Sequence, residues 1–581
     1  MKYRKIKTLV ASLLAAYTGY YSTYAGEKAP VEHFTRAAAH EDILTAPQVA
    51  KKQFDFIVVG AGVAGSVLAA RLSEDSSKQV LLIEAGGENP YDIGRSQGAF
   101  FLTWGSDKNW AYQTTPQVAL GERVIDQPRG RAVGGSSTIN VGAWLRGRPE
   151  DYDAWELAGA KGWNAKSALE AYLNVEATER GPSDVRGNNG PILMSDIPTP
   201  TQLSDRLLDA YVEAGLGAKG DSNGKYPFVA DRYQTLFVKG VRQSIADAFL
   251  TSKVRSRNNF TLLTNSHVTR VIVEKARVIG VEVSTKEGKY IIKATAEVIL
   301  SCGVFNTPQI LMLSGIGPRK HLEELGIPVV ADIPAVGDNL QDHICAHVYT
   351  LAERGVKGSV PLDLSDAAVQ EWLTTHGGPA SYFAENGVAW ASLDGNKVPD
   401  FELLLSYNTA NAKFANLPDA SERSGVTIGV VLLQPRSSGT VRLASTDPFT
   451  KPIIDPQYLS NSEDVKTLKQ GLRIAHKLVS TPGLKPWAEA IFPAPTASDG
   501  ELEKHIRNDV ATVYHAIGTA RMGSVDDPNT VVDPALRVKG IKGLRVADAS
   551  VMPKLIRGHT MAPSVYIGYR AADLILKGSD F

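Results

Sequence analysis

The chain has 581 residues, 43% hydrophobic and 21% charged, with Lys+Arg and Asp+Glu both at 62 and hence no formal net charge. That length exceeds one ordinary core and implies two domains, or one domain with a large lobe. Balanced charge excludes the basic footprint of a nucleic-acid binder, and the composition excludes disordered and fibrous classes.

In chain order, residues 1–25 pair a basic start (MKYRKIK) with an apolar run (TLVASLLAAYTGYY) and small residues around Ala25. The pattern predicts a secretory signal peptide, and so a secreted or periplasmic protein with no stable membrane insertion once it is removed. The competing reading is an organelle transit peptide, because no acid precedes Glu27. Residues 26–51 read as an extended lead-in. FDFIVV (54–59) is a continuous apolar run, as a parallel strand covered on both faces requires. Gly60, Gly62 and Gly65 follow at GxGxxG spacing and open a helical pattern; QVLLIEAGG then supplies a second strand ending at Glu84. Strand, glycines, helix and an acid about 20 residues on form a dinucleotide fingerprint. The small residues let the backbone approach a pyrophosphate at the helix N-terminus, and Glu84 accepts hydrogen bonds from a ribose diol.

Residues 261–283 and 288–317 read as further strands, the second stretch closing with a glycine turn and a helix; GLRVADASVMP (543–553) adds a strand with an acid at its end. From about 346 to 504 amphipathic helices mix with alternating strands such as VTIGVVLLQP. A nucleotide-binding domain interrupted by a second domain is expected. Only two cysteines occur, Cys302 and Cys345, too few for a zinc site or a disulfide framework. Cys302, at the end of EVILSC, reads as a small buried residue. Asn259, Phe260 and Thr261 form one glycosylation sequon. His343 and His347 have the spacing of a helix-face metal pair, but no third ligand is signalled, so no metal site is expected.

GRAVGGSSTINVGAWLRGRPEDYD (130–153) resembles the first signature of the glucose–methanol–choline (GMC) oxidoreductases, and GVFNTPQILMLSGIG (303–317) resembles the second, departing from it at Val304. VGDNLQDH (336–343), residues 437–459 and residues 531–553 also match family blocks, so the resemblance spans 54–577. It implies an α/β fold, a Rossmann-like FAD-binding domain with an inserted α+β substrate-binding domain. The first domain is expected over 52–157, 225–345 and 505–581, the second over 158–224 and 346–504. The cofactor implied is FAD, held by Gly60, Gly62, Gly65, Glu84, Gly134, Gly135, Ser136, Asn140, Val268, Asp548, Ala549, Thr560 and Met561. Ile139 stands where some members carry a histidine bonded to the flavin, so attachment is expected to be non-covalent. His343 is read as structural.

His515 (in VYHAIGTARMG) and His559 (in RGHTMAP) fall on the family's two catalytic positions. Oxidising an alcohol needs a proton acceptor and a donor to the developing oxyanion; His515 is assigned as base and His559 as partner. Tyr514, Tyr382, Phe383 and Trp390 are expected to line an aromatic substrate pocket, and no acidic patch points to a quaternary ammonium substrate. The resemblance thus implies FAD-dependent oxidation of a primary alcohol to the aldehyde, with O2 or a quinone-type acceptor taking the electrons; the expected aromatic lining suits an aryl or apolar alcohol among these. The alternative on the same scaffold is a hydroxynitrile lyase or other non-redox activity.

Overall fold

The computed structural model describes residues 45–89, 92–197, 201–358, 362–383, 385–393 and 396–578. The expected signal peptide lies outside them, as does most of the lead-in; Ala46–Val49 form one helical turn whose Ala46 and Val49 pack on the first core.

β1 (Phe54–Val59) leads into α1 (Val63–Leu72) and β2 (Val80–Ile83). The four residues of β2 are all buried, which is why the run does not alternate. After α2 (Ala165–Val175) come β3 (Phe260–Leu263), β4 (His267–Glu274), β5 (Arg277–Thr285), β6 (Gly288–Leu300) and α3 (Gly303–Leu313). The strand order is β3-β2-β1-β6-β5-β4. β1 pairs in parallel with β2 and with the second half of β6, whereas the first half of β6 pairs antiparallel with β5. The stretch expected to hold several strands is therefore one strand of 13 residues.

The second sheet is antiparallel in its centre and is built on β7 (Ile344–Leu351), β8 (Glu385–Ala391), β9 (Phe401–Ser406) and β10 (Thr427–Leu432), paired β7-β10-β9-β8. α4 (Ser462–Val479) lies on it. Gly471 permits the approach, since a Cβ there would stand 2.6 Å from Val430 and 2.8 Å from Phe401. The chain then returns to the first sheet as β11 (Leu544–Val546), parallel to β6, and ends in α5 (Met561–Leu576).

Two glycines set the spacing around the cofactor loop. An added Cβ at Gly65 would lie 2.0 Å from the Gly60 carbonyl oxygen, and one at Gly568 2.4 Å from that of Ala64. The first seats α1 on β1; the second seats α5 on α1.

The domain limits need adjusting at three places. Ala168, Ala171, Tyr172 and Val175 of α2, with Ile192 and Met194, join the core of the first sheet, although 158–224 was assigned to the second domain. Conversely Val229–Asp231 and Ala511–Thr512 pair into the second sheet. Short connecting strands carry no periodicity long enough to show which sheet they join. The sequon is also corrected: Asn259 is buried, and its amide donates to the carbonyls of Ser73, Asp75 and Lys78, leaving no free nitrogen for a glycan.

Gly65→Ala is expected to push α1 off β1, an overpacking strain of about 1–3 kcal/mol. Its thermal unfolding midpoint should fall, and the purified protein should carry less bound flavin by absorbance than wild type.

Candidate active site

A cavity runs from the glycine loop after β1, under the first sheet's C-terminal edge, to the facing side of the second sheet. Gly60, Gly62, Glu84, Gly135, Ser136 and Asn140 border it, as do Val268, Asp548, Ala549, Thr560 and Met561. Gly65 and Gly134 do not. Gly65 serves the helix–strand contact described above; Gly134 has φ +106 and sits against Thr138 and Ser244, shaping the loop from behind.

Each polar residue of the nucleotide end is held by its own contacts. Glu84 accepts the N–H groups of Ala61 (2.9 Å) and Gly86 (2.8 Å), and burial still pushes its carboxyl up to about 7. Asp548 accepts the N–H of Gly303, the N–H of Ser550 and the Thr307 hydroxyl, which ties the start of α3 to the end of β11. Asn140 is gripped by Arg242, a fully buried side chain that donates to the Asn140 side-chain oxygen at 2.9 Å and also to its carbonyl. Cys302, expected to be buried, instead caps α3, borders the cavity and donates to the Val59 carbonyl at 3.2 Å.

These residues fit a flavin dinucleotide. A Cβ added at Gly62 would meet nothing nearer than the Ser301 carbonyl oxygen at 3.9 Å, so the glycine opens backbone toward the cavity. The first N–H groups of α1 and α5 have no intrahelical acceptors and suit negative charge. Ile139, on the wall, offers only hydrocarbon and no atom for a covalent link.

At the other end His515 and His559 meet, their ring centroids 4.5 Å apart. His515 follows a kink: Tyr514 has φ +66, sparsely populated for a bulky residue. Its N–H donates to the Thr512 hydroxyl at 2.7 Å, which in turn donates to Asp342 at 2.6 Å. His343 and His515 share an Nδ1···Nδ1 hydrogen bond of 2.9 Å, and His343 Nε2 lies 3.1 Å from the Leu433 carbonyl oxygen. His559 Nε2 faces both carboxylate oxygens of Glu402, at 2.9 and 3.2 Å.

The two imidazoles have opposite environments. Burial, then the charge of His559, holds His515 well below the usual imidazole range. For His559 burial also opposes charge, but the attraction and hydrogen bond of Glu402, aided by Glu385, outweigh it and raise the value. The proton is thus disfavoured on His515 and favoured on His559.

Glu402 and Glu385 were not anticipated. β9 is buried throughout; Phe401, Leu403 and Leu405 pack toward α4, while Glu402 and Leu404 face the cavity. An acid inside the otherwise apolar run FELLL (401–405) was the available signal. Glu385 borders the cavity nearby, where burial, with the repulsion of Glu402 and against the pull of His559, pushes its carboxyl up to about 7. The wall therefore does carry acids, which pattern reading did not find.

The aromatic lining differs from expectation too. Tyr514 borders the cavity, joined by Phe100 and Trp104; Trp104 stacks edge-on against Tyr514 at 5.3 Å and Phe100 at 5.7 Å. Tyr382, Phe383 and Trp390 do not border it. Phe383 packs behind Phe100 at 5.5 Å, and Trp390 is buried in the core between the strands. His347 stands on β7, not on a helix, and pairs with Asp509 at 2.8 Å; Asp509 also takes the Tyr349 hydroxyl and Lys413. Among the described residues no group of three or more His, Cys, Asp or Glu is arranged for a metal ion, and no helix is long and apolar enough to cross a membrane.

Comparison with known proteins places the chain among flavoproteins. Models of the GMC oxidoreductase family match residues 54–345 and 435–568. An alcohol dehydrogenase [acceptor] of Pseudomonas putida is 38% identical over 548 residues, covering 91% of this chain and 96% of its own. A formate oxidase of Aspergillus oryzae, solved in a study of its FAD modification, is 29% identical with TM-score 0.81, covering 91% of this chain and 99% of its own. A fungal aryl-alcohol oxidase is 25% identical with TM-score 0.78, covering 90% and 99%.

Glu402→Gln is expected to lower the pKa of His559, since it removes the charge that offsets burial. Chemical-shift titration of the histidines would show His559 losing its proton at lower pH than in wild type; an unmoved titration would sink the ion-pair account.

Proposed function

We propose, from the premise that the chain belongs to the GMC oxidoreductase family of FAD-dependent, alcohol-oxidising enzymes, that its substrate is an apolar primary alcohol, an aryl alcohol foremost, with His515 as the base. The observation that carries this is the His515–His559 pair, one imidazole kept neutral and the other charged, in a wall shared with Phe100, Trp104 and Tyr514. The resemblance of the fold to an aryl-alcohol oxidase supports the substrate class.

The alcohol oxygen is received between the two rings. His515 accepts the hydroxyl proton, breaking the O–H bond, while the His559 imidazolium donates to the same oxygen as negative charge builds. An alcohol pKa of about 16 against about 6.5 for imidazole sets a gap on the order of 13 kcal/mol at 1.36 per unit, and burial of His515 widens it. One imidazole alone therefore does not hold a free alkoxide: proton removal is coupled to loss of the C–H bond, or the oxyanion is stabilised by the second donor, His559. Bound along Gly60, Gly62, Glu84 and Asp548, FAD would supply the acceptor for the hydride lost from that carbon, leaving the aldehyde as product. Glu402 keeps His559 charged; the aromatic wall keeps bulk water from the oxygen and orients the ring of the substrate. Electrons then pass to O2 or a quinone-type acceptor. Residues 1–25 lead us to propose export from the cytoplasm.

Anaerobic mixing with a panel of primary alcohols tests the reading by flavin absorbance. Bleaching by benzyl-type alcohols, and slowing of the rate by about 10²–10⁴-fold in His515→Ala with flavin retained, is expected. Flavin that stays oxidised across the panel while a cyanohydrin is cleaved would support the lyase instead.

A further inference from the structure

We propose that His343 is a positioning residue that selects the tautomer of His515, holding its proton on Nδ1 so that the Nε2 lone pair is the one offered to the alcohol. The assignment rests on the reading of His515 as the base and extends it to an atom.

Two contacts and the burial of His343 set the tautomer. The Leu433 carbonyl can only accept a hydrogen bond, so His343 Nε2, 3.1 Å away, carries a hydrogen. His343 is fully buried and held neutral by that burial, its pKa pushed down to about 3, so its other nitrogen is a bare acceptor. The Nδ1···Nδ1 contact of 2.9 Å then needs its hydrogen from His515. What remains on His515 is Nε2, which has no protein partner among the described residues and belongs to a ring that borders the cavity. His343 itself does not border the cavity, so it acts only through His515.

The same chain limits where the proton travels. When Nε2 takes the hydroxyl proton, His515 becomes an imidazolium and its Nδ1–H bond to His343 becomes charge-assisted. Passing that proton to His343 would make it an imidazolium with Nε2 still facing a carbonyl, in a site where burial disfavours charge. The relay ends there. The proton leaves His515 by Nε2, the way it came. The charged and titratable groups that face His515 are His343, His559 and Arg129, with Glu402 behind His559.

Neutron diffraction from the deuterium-exchanged holoenzyme tests the assignment without turnover. A deuteron on Nδ1 of His515 and on Nε2 of His343, with Nδ1 of His343 bare, is the expected map; a deuteron on Nε2 of His515 with Nδ1 bare would overturn it. Kinetically, His343→Leu removes the acceptor and should lower the rate constant of anaerobic flavin reduction by on the order of 10²-fold or more, with little change in KM. His343→Gln offers an oxygen to Nδ1–H and an N–H to Leu433 and should recover much of that rate. Equal losses in the two variants would mark His343 as packing only. Should the map be as expected while His515→Ala reduces its flavin at the wild-type rate, the base assignment fails and the tautomer assignment stands.

Discussion

Two imidazoles whose centroids are 4.5 Å apart in a buried wall cannot both be charged, and the ion pair of His559 with Glu402 decides which one is. With the carboxylate at 2.9 Å, a proton on His559 is favoured against the cost of burial. The resulting charge adds to burial in keeping His515 neutral. The same residue type therefore stands in two opposed environments, one that disfavours the proton and one that favours it. Remove the carboxylate and the two rings lose the reason to differ.

Holding that arrangement takes both sheets. Glu402 comes from the centre of the second sheet, His559 from the turn before α5, and His515 from the stretch after the Ala511–Thr512 pairing with β7. Leu433, just past β10, terminates the chain through His343. Alternation along β9 makes this possible: one face secures α4 through Phe401, Leu403 and Leu405, and the other presents Glu402 and Leu404 to the cavity. A strand so placed has no solvent face. Its lone acid must be partnered, and His559 is that partner.

What could be read from the chain follows from how local each feature is. The glycine loop, β1, β2 and Glu84 are contiguous, and their spacing carries the geometry, so the nucleotide end was legible. His515 and His559 were legible through motif resemblance. Glu402 and Arg242 were not, because each earns its role only when a segment more than 100 residues away folds beside it. The aromatic lining was misassigned for a related reason. Trp390 and Phe383 sit in a stretch rich in rings, yet strand direction turns Trp390 into the core and Phe100 stands between Phe383 and the cavity. His343 was read as structural from its motif alone, where the informative fact is a 2.9 Å contact across 172 residues.

The NLQDH segment is a brace with two arms. Asp342 takes the Thr512 hydroxyl, whose oxygen accepts the N–H of Tyr514, and so stabilises a backbone kink that a tyrosine does not adopt on its own. That kink turns the next residue, His515, toward the cavity. His343, the neighbouring residue of the segment, meets the ring so turned through the 2.9 Å Nδ1···Nδ1 contact. The backbone before His515 and a ring nitrogen of His515 are thus both held by adjacent positions on one strand lead-in. A shift of that lead-in would disturb both together, which ties the placement of His515 to the seam between the two sheets.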